Sequence, residues 1–199
     1  MAKDYYIKKT KMNKLKLKLE EIIDFELSPS RILLTKNDIQ DVAKRYKLTF
    51  PENYIFYLQF FGNDYVKDNY VFTPIIELPK HIRDSHFDIS AIFGLYDGVN
   101  NLEIELKTKR EFLPVNLFPI ADFGGGDLVC MDKENYKIYL WFHEENEGED
   151  VCLVAENFED FIINFNFEKP KQFDLDSIQL HFSPELDMAL KKAAEKYER

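Results

Sequence analysis

Cysteine is scarce: 199 residues contain only Cys130 and Cys152. Two thiols are too few to scaffold a fold by disulfides and fit a reducing compartment. Each lies in an apolar strand-like pattern, so both are expected as buried thiols in neighbouring strands. Long hydrophobic runs are also missing. None approaches the ~20 apolar residues that span a bilayer. The N-terminal lysines lead into LKLKLEEIIDFEL rather than an unbroken apolar stretch, so no signal peptide is expected and the cytoplasm is the expected location. There is no internal repeat and no low-complexity segment.

Reactive signatures are absent as well. There is no P-loop and no G-x-S-x-G. Gly124, Gly125 and Gly126 lack dinucleotide-loop spacing because Val129 stands where the last glycine belongs. His143-Glu144 begins like a zinc-protease motif, but Glu147 occupies the place of the second histidine. His81 and His86 are five apart, where a helical ligand pair needs three or four. No cysteine has a basic neighbour to activate it. Asp122, Asp127 and Asp132 recur every five residues. They could gather a cation, but carboxylates beside tight turns more often accept backbone N–H bonds. No catalytic residue, metal or cofactor is expected.

Positive charge is scarce except at one end. The net charge is −10. Residues 1–18 hold seven Lys and one Asp, a local +6, which leaves −16 on residues 19–199. An acidic body disfavours direct DNA or RNA binding and favours a basic partner. Eighteen Phe and eleven Tyr in a chain that is 45% hydrophobic supply a heavily aromatic core and argue against disorder.

The sequence centres on residues 117–144, LFPIADFGGGDLVCMDKENYKIYLWFHE. Three short apolar runs, at 117–121, 128–131 and 138–142, are separated by the three glycines and by Asp132-Lys133-Glu134-Asn135. That pattern reads as three strands joined by tight loops. In the third strand Ile138, Leu140 and Phe142 face one way, and Tyr139, Trp141 and His143 the other. Bulk on both sides implies cover on both faces or a contact surface.

Upstream, Leu15, Leu17 and Leu19 alternate with Lys16 and Lys18, a strand-like period. Such a basic stretch can bind a membrane surface or nucleic acid; the simpler reading is a solvated leader whose apolar end docks on the domain. Ser28-Pro29-Ser30 breaks the chain. Asn37 or Asp38 caps a helix to about Tyr46, with Ile39, Val42, Ala43 and Tyr46 on its buried face. Pro51 opens an aromatic helix that Gly62 and Asn63 end. Strands are expected at 70–76, near an edge because of Pro74, and at 89–95. Residues 100–112 show a strand period at Leu102, Ile104 and Leu106, yet Asn100/Asn101 can cap a helix and 107–110 suit its C-terminal end; helix is the expectation. Glu144 to Asp150 carries five acids in seven residues and is expected as a loop. A strand at 151–155 and a helix capped by Asn157 follow. Lys169-Pro170-Lys171 is another break, and Ser183-Pro184 opens a last helix with an apolar stripe at Leu186, Ala189, Leu190 and Ala193, expected to pack on the domain.

Pro119-Ile120-Ala121, Gly125-Gly126-Asp127, and Ile138-Tyr139-Leu140-Trp141 with His143-Glu144 resemble the core of the SMI1/KNR4, or SUKH, family. Phe50-Pro51-Glu52-Asn53-Tyr54 with Phe60-Phe61-Gly62 resembles its opening. The stretch Val154-Ala155-Glu156-Asn157-Phe158-Glu159-Asp160-Phe161 resembles its closing strand and helix. The likeness runs from about Asp38 to Phe165, and no single motif in it is specific. It implies an α+β fold, a mostly antiparallel sheet of about five to six strands with helices packed around it. Three segments are expected: a basic N-terminal extension (1–26), the family-like domain (27–168) and a C-terminal extension (169–199).

The resemblance implies a non-enzymatic protein-binding domain, an immunity protein that neutralises a cognate bacterial toxin, often a nuclease. A nuclease must be basic to hold phosphate, and an acidic protein can occupy that surface. The expected steering element is the acidic loop, Glu144, Glu145, Glu147, Glu149 and Asp150, which could equally serve solubility alone. Tyr139 and Trp141 are candidate anchors, though Trp141 could instead belong to the core. The alternative is a regulatory scaffold of the kind linked to cell-wall glucan synthesis in fungal members. The oligomeric state is left open.

Overall fold

The computed structural model describes residues 2–28, 33–80, 82, 85–146, 148–169, 186 and 188, with side chains from residue 12 onward. The chain divides into two compact units, Met1–Glu168 and Lys169–Arg199. The expected C-terminal helix and its packing fall almost wholly outside the described residues, as do Pro29, Ser30, His81 and Glu147.

The first unit contains helices α1 (Ala2–Ile22), α2 (Lys36–Tyr46), α3 (Glu52–Phe60), α4 (Leu102–Thr108) and α5 (Phe158–Ile163). Its strands are β1 (Ile23–Asp24), β2 (Asp64–Val66), β3 (Tyr70–Phe72), β4 (Ala91–Ile92), β5 (Leu117–Gly124), β6 (Asp127–Asp132), β7 (Ile138–Trp141), β8 (Val151–Ala155) and β9 (Phe165–Phe167). Seven of them form one sheet in the order β1-β2-β4-β5-β6-β7-β8, and β3 pairs with β9 in a separate ribbon. Every pairing is antiparallel. The architecture is α+β as expected, with β1 and β2 extending the sheet beyond the strands visible in the sequence.

The Lys-rich start is helix, not strand. Leu15, Leu19 and Ile22 are buried, whereas Leu17 is 66% exposed. The three buried residues follow the i, i+4, i+7 spacing of one helix face. Leu, Lys and Glu are good helix formers, so the local Leu/Lys alternation was a fragment of a longer helical pattern. Lys16–Glu20 and Lys18–Glu21 ion pairs lie on the solvent side. The buried face joins the same core as the sheet.

Helix α2 starts two residues before the expected cap. Thr35 is the N-cap; its hydroxyl accepts from the Asp38 N–H, and the Asp38 carboxylate accepts from the Thr35 N–H at 2.8 Å. Asp38 therefore belongs to a capping box rather than being the cap itself. Asn101 and Asn157 cap α4 and α5 by accepting the N–H of Ile104 and Asp160, each at 3.0 Å. Pro51 is the N-cap of α3.

The core is aromatic. Tyr54 and Tyr57 of α3 meet Phe158 of α5 at ring-centre distances of 5.0 and 5.6 Å, and Phe72 meets Phe161 at 4.9 Å. The Tyr57 hydroxyl donates to the Ile92 carbonyl at 2.8 Å, which fastens α3 to β4. Where α3 ends, Gly62 and Asn63 take left-handed conformations (φ 119° and 53°). They pass so close to Gly94 that a Cβ there would sit 2.3 Å from the Asn63 nitrogen. Only glycine allows this approach.

Both cysteines are buried and free, but not in neighbouring strands. Strand β7 lies between β6 and β8. Cys130 pairs with Tyr139, and Cys152 with Leu140. Adjacent residues of β7 point to opposite faces, so the two thiols lie on opposite sides of the sheet.

Candidate protein-binding surface

The acidic segment connects β7 to β8. Its backbone is a series of closed turns. The N–H groups of Glu149 and Asp150 donate to the Asn146 carbonyl at 2.9 and 3.1 Å, and that of Glu145 donates to the Phe142 carbonyl. The Gly148 N–H donates to the Asp150 carboxylate at 2.9 Å. Carboxylates 144, 145 and 149 face solvent, and Asp150 is half-buried. Like charges crowd here because their side chains remain in water, where repulsion at contact distance is only about 1 kcal/mol.

A second contact ties this loop to the glycine turn between β5 and β6. The Asp127 carboxylate accepts from the His143 backbone N–H at 2.9 Å and lies 2.8 Å from the His143 Nδ1. Gly126 (φ 106°) lies under the same imidazole, and a Cβ there would come within 3.2 Å of it. This pair joins residues sixteen apart in sequence, which no local pattern could reveal.

Trp141 is only 6% exposed and belongs to the core. One edge still reaches a depression of about 470 Å³, whose other walls include Phe112, Lys109, Phe142, His143, Glu145 and Asp150. Phe112 is 68% exposed. The depression therefore combines aromatic walls with the carboxylates of Glu145 and Asp150 and the ammonium of Lys109. Of the residues singled out from sequence, Trp141, Glu145 and Asp150 meet there. Glu144 and Glu149 stand on the loop outside it. Tyr139 is half-buried between Cys130 and Leu153, in the middle of the strand register. Phe112 and Lys109, from the turn after α4, went unnoticed in the sequence because nothing local distinguishes an exposed Phe from a core one.

Of the three evenly spaced aspartates, Asp132 forms a turn, while Asp122 and Asp127 bond residues far away in the sequence. Asp132 Oδ1 accepts the N–H groups of Glu134 and Asn135 at 2.8 and 3.0 Å, and Oδ2 accepts from Asn116 at 2.7 Å. Burial pushes its pKa up, but these donors and the Lys133 charge outweigh it and hold the carboxyl below the usual range. Asp122 takes a hydrogen bond from the Ser90 hydroxyl. Among the described residues no three His, Cys, Asp or Glu side chains converge as metal ligands. Burial raises both thiols, Cys130 most, which opposes nucleophilic character. Among the described residues no helix is long and apolar enough to cross a membrane.

The domain is a helix-flanked antiparallel α+β fold with an acidic loop beside an aromatic depression. The chain belongs to the SMI1 / KNR4 family (SUKH-1), whose profile matches residues 33–164. It is also similar to an SPbeta prophage-derived uncharacterized protein, YokK, of Bacillus subtilis (strain 168), with 35% identity over 77 residues. That match covers 38% of this chain and 40% of the relative, so the two share less than half of either length.

Proposed function

We propose that this protein is a non-enzymatic immunity protein that acts in the cytoplasm by binding a basic bacterial toxin domain and blocking it. The observation that carries the reading is the juxtaposition at one end of the sheet: solvent-facing carboxylates of the β7–β8 loop beside the depression floored by Trp141 and Phe112. Acidic groups steer a basic partner into encounter, and a partly desolvated aromatic floor supplies the anchor on which interface energy concentrates. Family membership and similarity to a prophage-derived protein support the same reading. The steering group is Glu144, Glu145, Glu147, Glu149 and Asp150. Trp141 is the buried anchor, with Tyr139 supporting it from within the sheet.

The test uses the purified chain and a basic toxin domain encoded beside it. Wild type should rescue cells expressing the toxin and associate with it at a rate that falls steeply with salt. Changing Glu144, Glu145, Glu149 and Asp150 to Gln or Asn should slow association by about tenfold to a hundredfold and flatten the salt dependence. Unchanged rates would remove the loop from the interface. Turnover of phosphoester or glycoside substrates by the chain alone would end the non-enzymatic reading.

A further inference from the structure

A second cavity, independent of the proposed toxin-binding face, has the opposite electrostatic sign. It holds about 290 Å³ and opens where the end of α2, the turn after α4 and the start of β5 meet. The 117 end of β5 pairs with the 132 end of β6, whereas Trp141 pairs with Leu128 at the far end. The α4 turn separates the two hollows, with Arg110 and Leu113 on this side and Lys109 and Phe112 on the other.

The walls here are apolar, including Leu48, Leu106, Leu117 and Phe118, but the charged residues are Lys47, Arg110 and Lys133, and no acid joins them. In a chain of net charge −10 that is an unexpected grouping. Arg110 forms no ion pair among the described residues. Lys133 donates to the Val115 carbonyl, and its ammonium has two further donors. Desolvation and then the positive charge of Arg110 lower the pKa of Lys133, against a smaller opposing pull from Asp132. Both cations line the same cavity, and like charges sharing one lining repel. The cavity is also lined by Tyr46, whose hydroxyl is buried with no hydrogen-bond partner.

We propose that this cavity binds a small carboxylate with an apolar body. Its carboxylate lies between Arg110 and Lys133, and its hydrocarbon part fills the Leu48, Leu106, Leu117 and Phe118 lining. An anion relieves the repulsion between the two cations, and guanidinium with ammonium is a strong charge-assisted donor set for a carboxylate. The volume sets the size: a cavity of ~150 Å³ holds benzene, so this one suits a medium-chain or aromatic acid and excludes long lipids.

The experiment is calorimetric titration of the full chain with octanoate, with octanol and with inorganic phosphate, alongside methyl NMR of the leucines. Octanoate should bind saturably at one site and shift the Leu48, Leu106 and Leu117 methyls. Octanol, lacking the charge, and phosphate, lacking the apolar body, should each bind at least about tenfold more weakly. Arg110→Gln should weaken octanoate by about tenfold; if that variant fails to fold, Lys133→Gln takes its place. Absence of octanoate binding at millimolar concentration, equal binding of octanol or phosphate, methyl shifts elsewhere, or wild-type affinity in the folded variant would each overturn the proposal. None of these outcomes bears on toxin binding, which uses the other end of the sheet.

Discussion

Asn63 connects the end of α3 to the 96–99 loop, and its replacement by alanine should be among the most damaging single changes outside the aromatic core. The residue is fully buried and left-handed at φ 53°. Its Oδ1 accepts the Tyr96 N–H at 3.0 Å, and its Nδ2 donates to the Tyr96 and Val99 carbonyls at 2.8 and 2.7 Å. In Asn63→Ala the buried Tyr96 N–H loses this acceptor, a cost of about 1–3 kcal/mol. The two carbonyls suffer less. Asn101 still donates to Tyr96 at 2.7 Å, and Val99 lies 65% exposed, where water can replace the donor. Together they add about 1 kcal/mol. Alanine in the left-handed region adds about 1–2 kcal/mol more. The total, about 3–6 kcal/mol, is a large share of the ~5–15 kcal/mol that holds a domain together. Equilibrium urea unfolding with an unchanged m-value measures it. Asn63→Gly removes the backbone penalty but not the lost bonds, so it should be less damaging than alanine by about 1 kcal/mol. A loss below about 1 kcal/mol for Asn63→Ala, or a glycine variant no better than alanine, would refute this account.

Two further outcomes follow from the buried titrating groups. The lowered pKa of Asp132 means that its carboxylate stabilises the fold above the unfolded value near pH ~3.9, and that this contribution disappears as pH falls through the folded value. Asp132→Asn should therefore be less stable than wild type at pH ~7, with the gap closing in acid; parallel urea titrations across pH check this, and a gap independent of pH would contradict it. Cys130 and Cys152 are buried and free, and burial raises their pKa, so an aromatic disulfide reagent should label neither quickly in native buffer and both at once in denaturant, with Cys130 the slower native site; immediate native labelling of Cys130 would show that β6 is not covered as described.

The same local chemistry explains which parts could be read ahead of the structure. The caps at Asn101 and Asn157 and the strands β5 to β8 were legible because their signals are local. An Asn side chain reaches its own helix N–H groups, and a strand bounded by glycines or by Asp/Asn turns needs no distant partner to be recognised. The same locality made 100–112 readable as helix despite its strand period. It misled at Leu15, Leu17 and Leu19, where five residues of alternation fit both periods and only the contact surface shows that Leu17 is outside. Strands β1 and β2 are two and three residues long. Such segments are strands because a neighbour pairs with them, and pairing is invisible along the chain.

The candidate surface divides in the same way. Charge is additive along a sequence, so the acidic loop and its excess of carboxylates were visible at once. Tertiary structure alone decided that Trp141 is largely core, that Phe112 and Lys109 complete the depression beside it, and that Asp127 holds His143 in place. It also gathered Lys47, Arg110 and Lys133 around one apolar cavity. Those arrangements depend on contacts between residues far apart in the chain, where the free energy comes from shared burial and not from the preference of any one segment.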